Sequence, residues 1–328
     1  MSQDSILSVD NLSVRFRTHE GIVHAVNGVS FDLAQGEVLG ILGESGSGKS
    51  VTLRAIIGLL PREYASIGGR VRFGGREIQH LSNEELNAIR GARIAMIFQE
   101  PMVAFDPVFT VGDQIAETIV RHDGASWRDA MRRARDLLEL VQIPSAKRRL
   151  AAYPHEMSGG MQQRAMIALA LSCNPQLLLA DEPTTALDVT VQIQIILLLR
   201  ELQRELGMSV IFVTHDVGVA TEISDRLAVM YAGRFVETGP AVDVIEQPRH
   251  PYTDGLLSST VLSARQGHRL NAIPGAPPDL MALPDACSFA PRCRYAEEQC
   301  LSGVPALSPI TRDHATRCLR VGEGRLEL

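Results

Sequence analysis

The sequence predicts an α/β fold in which a phosphate-binding loop joins a buried strand to a helix. Three observations carry that prediction. The apolar run Val38–Leu42 leads into Gly43-Glu44-Ser45-Gly46-Ser47-Gly48-Lys49-Ser50, and the apolar segment 51–60 follows, which is the strand, turn and helix that the pattern G-x-x-x-x-G-K-[ST] requires. Three further short apolar runs, 94–98, 177–180 and 210–214, lead straight into polar residues, as central strands do when their carboxyl ends open on a ligand crevice. Segments with apolar residues at helical spacing alternate with these strands, the order of an α/β domain.

The loop itself combines residue types with few substitutes. Gly43, Gly46 and Gly48 let the backbone turn tightly, so that successive N–H groups converge on phosphate oxygens at a helix N-terminus. Lys49 supplies a point charge for the outer phosphates, and the Ser50 hydroxyl is a hard oxygen ligand suited to Mg²⁺.

The 328 residues are long enough for two domains, and their 45% apolar content allows a normal buried core. With 32 Lys and Arg against 38 Asp and Glu the net charge is -6, which argues against nucleic acid as the main partner. No apolar run approaches the ~18 residues of a membrane span, and Met1-Ser2-Gln3-Asp4-Ser5 lacks the basic and apolar parts of a secretion signal. The expectation is a soluble protein that stays in the cytoplasm. Cys173 stands alone, whereas Cys287, Cys293, Cys300 and Cys318 share the tail at the spacing C-x5-C-x6-C-x17-C. In a reducing compartment such a cluster points to a metal site more than to disulfides. Four thiolates can hold a [4Fe–4S] cluster or Zn²⁺, or remain free or adventitiously paired, and the spacing leaves all three open.

Taken in order, residues 6–16 and 23–33 alternate apolar and polar positions and read as antiparallel strands near a sheet edge. Phe16 on the first is either a half-buried strand aromatic or a platform for a base. Residues 68–73 form a short strand before the turn Gly74-Gly75, and Ser82 with Glu85 three residues on reads as a capping box. The run 94–98 is a central strand ending at Gln99. After Pro101 and Pro107 one helix is expected from Val111 to about Val141, with Arg128, Arg132, Arg133 and Arg135 on a solvated face. Ser158 caps a helix that runs toward Asn174-Pro175, and Gly159 and Gly160 leave its first N–H groups open to an anion. Strand 177–180 ends in Asp181-Glu182, an acidic pair suited to a Mg²⁺ shell and an attacking water. The turn 183–188 leads into a helix over 191–206, and strand 210–214 delivers His215 to the strand-end edge. Residues 227–236 read as a hairpin about Ala232-Gly233. Between about 240 and 260 the composition shifts to Pro, Gly and Cys, where a domain boundary is expected.

This order of motifs resembles that of the nucleotide-binding subunits of ABC transporters. Residues 43–50 are similar to their Walker A, Gln99 to the Q-loop glutamine, 158–162 to the signature motif, Asp181-Glu182 to Walker B, 186–188 to the D-loop and His215 to the switch histidine. Longer stretches, 153–161, 180–191 and 230–234, with His250-Pro251-Tyr252, Ile273-Pro274-Gly275 and Pro291-Arg292-Cys293, resemble the oligopeptide/dipeptide importer branch over essentially the whole chain. The resemblance implies a P-loop NTPase core over 1–245, with an antiparallel β subdomain and a helical signature subdomain at about 100–160, and a small Pro/Cys-rich C-terminal extension over 246–328.

The resemblance also implies ATP and Mg²⁺ as ligands. Phe16 would stack on the adenine, and Gly43, Glu44, Ser45, Gly46, Ser47, Gly48, Lys49, Ser50 and Val51 would hold the phosphates. Ser50, Gln99 and Asp181 would form the Mg²⁺ shell, Glu182 would polarise the water, and His215 would contact the γ-phosphate. Ser158, Gly159, Gly160 and Asp188 would serve the site of a second ATPase subunit, paralogue or copy, packed head to tail. The implied function is ATP hydrolysis at the cytoplasmic face of the cell membrane, energising import of di- or oligopeptides through two membrane-spanning permease subunits fed by a periplasmic or extracellular solute-binding protein, with no role for nucleic acid. Nickel or another small solute is the alternative cargo, and a soluble non-transport ABC ATPase the more distant alternative. For some members of the branch a [4Fe–4S] cluster is described, which Cys287, Cys293, Cys300 and Cys318 would ligate here. One departure stands out: Met102-Val103-Ala104-Phe105-Asp106-Pro107 replaces the usual Thr-Ser-Leu-Asn-Pro-like run near the permease contact, so partner choice is expected to differ and hydrolysis is not.

Overall fold

The computed structural model describes residues 5–185, 187–259 and 272–328. In chain order the strands are β1 (Ser5–Arg17), β2 (Ile22–Ala34), β3 (Val38–Leu42), β4 (Ala65–Phe73), β5 (Arg76–Glu77), β6 (Ile94–Ile97), β7 (Leu177–Asp181), β8 (Ser209–Thr214), β9 (Arg226–Tyr231), β10 (Arg234–Pro240), β11 (Ser308–Pro309) and β12 (Ala315–Thr316). The helices are α1 (Lys49–Ile56), α2 (Asn83–Asn87), α3 (Pro101–Ala104), α4 (Val111–Asp123), α5 (Trp127–Leu140), α6 (Ala146–Arg149), α7 (Gly159–Ala170), α8 (Val189–Leu206), α9 (Val217–Ile223), α10 (Ala241–Glu246), α11 (Pro251–Ser258) and α12 (Leu319–Gly322). They group into two compact units of interleaved sequence. One holds Ala34–Glu37 and His80–Phe212; the other holds Leu7–Leu33, Val38–Gln79 and Val213–Leu328.

In the first unit β6 pairs parallel with β7, Ile94 opposite Leu177, and β8 lies beside β7. All residues of β6 and β7 are buried, which is why these runs are continuously apolar rather than alternating. The capping box expected at Ser82 is formed, with Glu85 N donating to the serine hydroxyl. Helices α4, α5 and α7 pack on one another through Ile115, Ile119, Ala134, Leu138 and Ile167, all fully buried. The single helix expected over 111–141 is two. Gly124, at a left-handed φ of 65°, ends α4, and Ser126 restarts the chain by accepting from Asp129 N at 3.2 Å, a glycine stop and a serine cap standing two residues apart. The arginines of α5 are not one solvated face either. Arg132 and Arg135 pair with neighbouring acids at the surface, but Arg133 reaches Asp123 at 2.7 Å and the Ser172 carbonyl at 3.0 Å, bracing α5 against α4 and the end of α7.

In the second unit β1 pairs antiparallel with β4, Leu7 opposite Phe73 and Phe16 opposite Ala65, within a sheet ordered β2-β1-β4-β5. A second sheet is built on β3, which pairs parallel with β9; β9 returns through Ala232-Gly233 as β10, and β12 and β11 extend the edge. The core of this sheet takes in Leu42, Val229, Tyr231, Tyr252, Leu256 and Phe289, so the C-terminal residues share one core with the strand that feeds the glycine-rich loop. The triplet His250-Pro251-Tyr252 opens α11. His250 Nδ1 accepts from Tyr252 N at 3.0 Å, and Pro251 stands at the first helical position, where its missing N–H costs nothing.

That cap requires a neutral imidazole. Burial, with the Arg317 charge acting in the same direction, pushes the His250 pKa down from 6.5 to about 3. The folded chain therefore binds fewer protons here than the unfolded chain between those values, and stability is lost as pH falls from 6.5 toward 3. Asparagine retains an N-cap acceptor without titrating, so His250→Asn should flatten the acid limb of a urea-midpoint series. An unchanged slope would mean that the acid sensitivity arises elsewhere.

Candidate active site

In the second unit β3 ends at Leu42, and the loop 43–48 carries the chain into α1. Its glycines answer to different constraints. Gly46 and Gly48 take φ of 78° and 106°, backbone open chiefly to glycine. At Gly43 a Cβ would run into the Met230 carbonyl, so the loop can seat against the end of β9 only without a side chain there. The seat is closed by Gly233 N donating to the Ser47 carbonyl at 2.8 Å. Lys49 is 3% exposed, and its Nζ donates to the carbonyls of Gly43 at 2.8 Å and Glu44 at 2.9 Å, arching back over the loop. Ser45 and Gly46 stand exposed at the crest, while Ser47 and Gly48 are buried and Ser50 and Val51 half-buried at the base. Glu44 donates its N–H to Tyr252 Oη at 2.9 Å and accepts from Arg292 at its carboxylate. Phe16, half-buried on β1, and His215, exposed just beyond β8, belong to the same unit.

The first unit holds the remaining predicted residues. Gln99 is exposed in the bend after β6. Ser158 caps α7, accepting from Met161 N at 3.4 Å, and with Gly159 it is exposed, so the helix start faces solvent. A Cβ on Gly160 would lie 3.0 Å from Val191 Cγ1; glycine there lets α7 approach the first turn of α8. Asp188 caps α8 by accepting from Val191 N at 3.0 Å. Ala186 lies outside the described residues. Asp181 is fully buried at the end of β7. Glu182 follows at a left-handed φ of 47°, conformational strain of about 1–2 kcal/mol for a residue with a side chain, and Thr185 Oγ1 donates to its Oε2 at 3.0 Å. Asn11, Gln142, Ser145, Asn174 and Ala232 take similar φ, so it is the acidic pair at the strand end, not the strain alone, that singles this position out.

The same unit carries an open cavity of about 550 Å³ lined by Asn87, Arg90, Asp106, Phe109, Gln114 and Arg121, among others. Gln114 builds its rim: Oε1 accepts from Asp106 N at 2.8 Å and Nε2 donates to the Asp106 carbonyl at 2.9 Å. Met102, Val103, Val108 and Phe109 are exposed beside it, which gives the unusual segment 102–107 a definite place.

Residues 26–185 match the family described as ABC transporter, and residues 236–300 match the oligopeptide/dipeptide transporter C-terminal region. The dipeptide transport ATP-binding protein DppD of Bacillus subtilis (strain 168) is 48% identical over 316 residues, 96% of this chain and 94% of that protein. The chain belongs to the ABC transporter family. Among solved structures, the dimeric post-hydrolysis state of the ATP-binding cassette MJ0796 bound to ADP and Pi is 31% identical with a TM-score of 0.65, covering 72% of this chain and 98% of that one. CbiO1 of Clostridium perfringens, part of the ABC transporter complex cbiONQ, is 29% identical with a TM-score of 0.63, covering 74% and 92%. This ABC cassette is accordingly an ATPase. Among its described residues no helix is long and apolar enough to cross a membrane.

The predicted cysteine ligands are brought together only in part. Cys287, Cys293, Cys300 and Cys318 line one cavity of about 20 Å³ beside His250 and Phe289, yet among the described residues no group of three or more His, Cys, Asp or Glu is arranged to hold a metal ion. Burial pushes the thiols of Cys287 and Cys318 up and that of Cys293 up to about 11, with neighbouring thiols adding to the shift. Arg292, Tyr252 and Thr185 join the site residues only in the structure. Only the triplets His250-Pro251-Tyr252 and Pro291-Arg292-Cys293 signalled two of them, and neither triplet shows which loop it reaches.

Gly43→Ala tests the seating of the loop. Its Cβ would displace the loop from Met230, an overpacking cost of about 1–3 kcal/mol, so both the thermal midpoint and the affinity for a fluorescent ATP analogue should fall. Wild-type affinity in a stably folded variant would show that the close approach is dispensable.

Proposed function

We propose that this chain hydrolyses ATP to drive import of di- or oligopeptides through separate permease subunits. The observation that supports it most is the identity to DppD over nearly the full length of both chains, joined by the match of 236–300 to the oligopeptide/dipeptide transporter C-terminal region. The proposed division of labour is an ATPase domain over 1–245 and a C-terminal extension over 246–328. On this reading the loop N–H groups of 43–51 cradle the phosphates, Lys49 leaves its own loop carbonyls for the outer phosphates, and Phe16 stacks on the adenine. Ser50, Gln99 and Asp181 would hold Mg²⁺, whose charge offsets that of the departing phosphate. The Glu182 carboxylate orients the attacking water and accepts its proton, held by Thr185 Oγ1 at 3.0 Å; His215 contacts the γ-phosphate.

The exposed start of α7 implies a partner. Ser158, Gly159, Gly160 and Asp188 are proposed to complete the ATP site of a second ATPase subunit, as the dimeric state of MJ0796 suggests. The 550 Å³ cavity with its exposed apolar rim is proposed to receive the permease; on this reading the chain would work at the cytoplasmic face of the membrane. We assign Cys287, Cys293, Cys300 and Cys318 to a [4Fe–4S] cluster. What supports this reading is that all four line one cavity, four thiols being the donor set such a cluster takes; Zn²⁺ or free thiols are the alternatives.

Two experiments test these readings. In membranes containing the permease, peptide-loaded binding protein should stimulate ATP hydrolysis, and Glu182→Gln should lower turnover about 100-fold or more. Wild-type turnover in that variant would remove Glu182 from its role, and glutamate-dependent turnover blind to every peptide would redirect the cargo toward nickel or another small solute. Separately, chain purified without oxygen should contain iron and acid-labile sulfide with visible charge-transfer absorbance, all lost in Cys293→Ser. Absence of both elements after anaerobic reconstitution would rule the cluster out.

A further inference from the structure

Glu44, the second residue of the glycine-rich loop, is held at three points. Its N–H goes to Tyr252 Oη at 2.9 Å, its carbonyl accepts from Lys49 Nζ at 2.9 Å, and its carboxylate takes both terminal nitrogens of Arg292, at 2.7 and 3.1 Å. Two of the three partners come from the C-terminal extension. Arg292 is itself fixed: Nε donates to the Pro274 carbonyl at 2.9 Å, and the guanidinium lies 5.7 Å from the Tyr231 ring centre and 6.0 Å from that of Phe289. Its side chain is 4% exposed, so this forked pair is not the solvated surface bridge that contributes almost nothing.

We propose that Arg292 is a positioning residue for ATP, through which the C-terminal extension sets the affinity of the phosphate loop. This rests on the reading of 43–51 as the ATP loop. Two effects combine. The Glu44 carboxylate stands on a loop that must accept a polyanion, and Arg292 cancels its repulsion of the incoming phosphates. The fork also fixes the orientation of Glu44, hence of the carbonyl that parks Lys49. The turn that aims Arg292 is the cysteine-bearing one: Ala290 N donates to the Cys287 carbonyl at 3.0 Å and Cys293 N to the Ala290 carbonyl at 3.2 Å. Whatever orders that turn orders the clamp.

The bland alternative is that the pair merely docks the extension. A double-mutant cycle on the full-length chain separates the two, with equilibrium binding of a fluorescent ATP analogue and the KM for ATP as readouts. Arg292→Gln should weaken binding about tenfold and Arg292→Lys, which keeps the charge and loses the fork, about threefold, with the loss in KM exceeding any loss in kcat. In a Glu44→Gln background, Arg292→Gln should change affinity less than about twofold. Arg292→Lys keeps a buried cation and Glu44→Gln keeps a carbonyl acceptor for the guanidinium, so Arg292→Lys, measured beside its thermal midpoint, tests the inference even where Arg292→Gln folds poorly. Equal losses from Arg292→Gln in both backgrounds, or wild-type affinity in Arg292→Lys, would overturn the inference. Failure of the wild-type chain to bind the analogue would instead overturn the reading of the loop, and the inference with it.

Discussion

Everything in the second unit defers to the backbone of residues 43–49. A loop that offers consecutive N–H groups to phosphate must turn through conformations closed to most residues and must bury its lysine. It must also do so without a disordered backbone. Here the turn is fixed from below by the Met230 carbonyl at Gly43 and by the bond from Gly233 to Ser47. The β9–β10 hairpin is therefore as much a part of the loop as the loop's own glycines. From the side it is fixed by Tyr252 and Arg292, which explains why the extension folds into the same core as β3.

The first unit supplies a different kind of order. Its strands end on chemistry: a fully buried Asp181 and a Glu182 whose backbone sits in the left-handed region. Its helices begin on chemistry as well, with Ser158 and Asp188 capping α7 and α8 and a glycine where those helices meet. Caps at exposed starts leave N–H dipoles facing outward. Membership of the ABC transporter family is what makes the proposed nucleotide roles of both features worth testing.

What could be read from the sequence was what local chemistry decides. The loop pattern, the alternation in β1 and β2, the capping box at Ser82 and the hairpin about Ala232-Gly233 each depend on neighbours within a few residues, and the structure has them all. The same kind of local signal stands at Gly124 and Ser126, where a glycine stop and a serine cap divide one expected helix into two. Arg133 reads as a solvated charge in the sequence because its partners, Asp123 and Ser172, belong to other helices or turns. The clamp on Glu44 had no local trace at all, since Arg292 lies 248 residues away in sequence. The cysteines were visible by count and spacing; that they share a cavity depends on a tertiary fold that spacing does not encode.

On the proposed mechanism one nucleotide is held by the glycine-rich loop of one cassette and the capped start of α7 of another. Hydrogen exchange on the assembled transporter, with and without saturating ATP and Mg²⁺, tests it most directly. Amides of 43–50 and of 158–162 should then be protected together, at the same nucleotide concentration. Protection of the loop with unchanged exchange at 158–162 would contradict it, and would leave the loop as a complete site within a single chain.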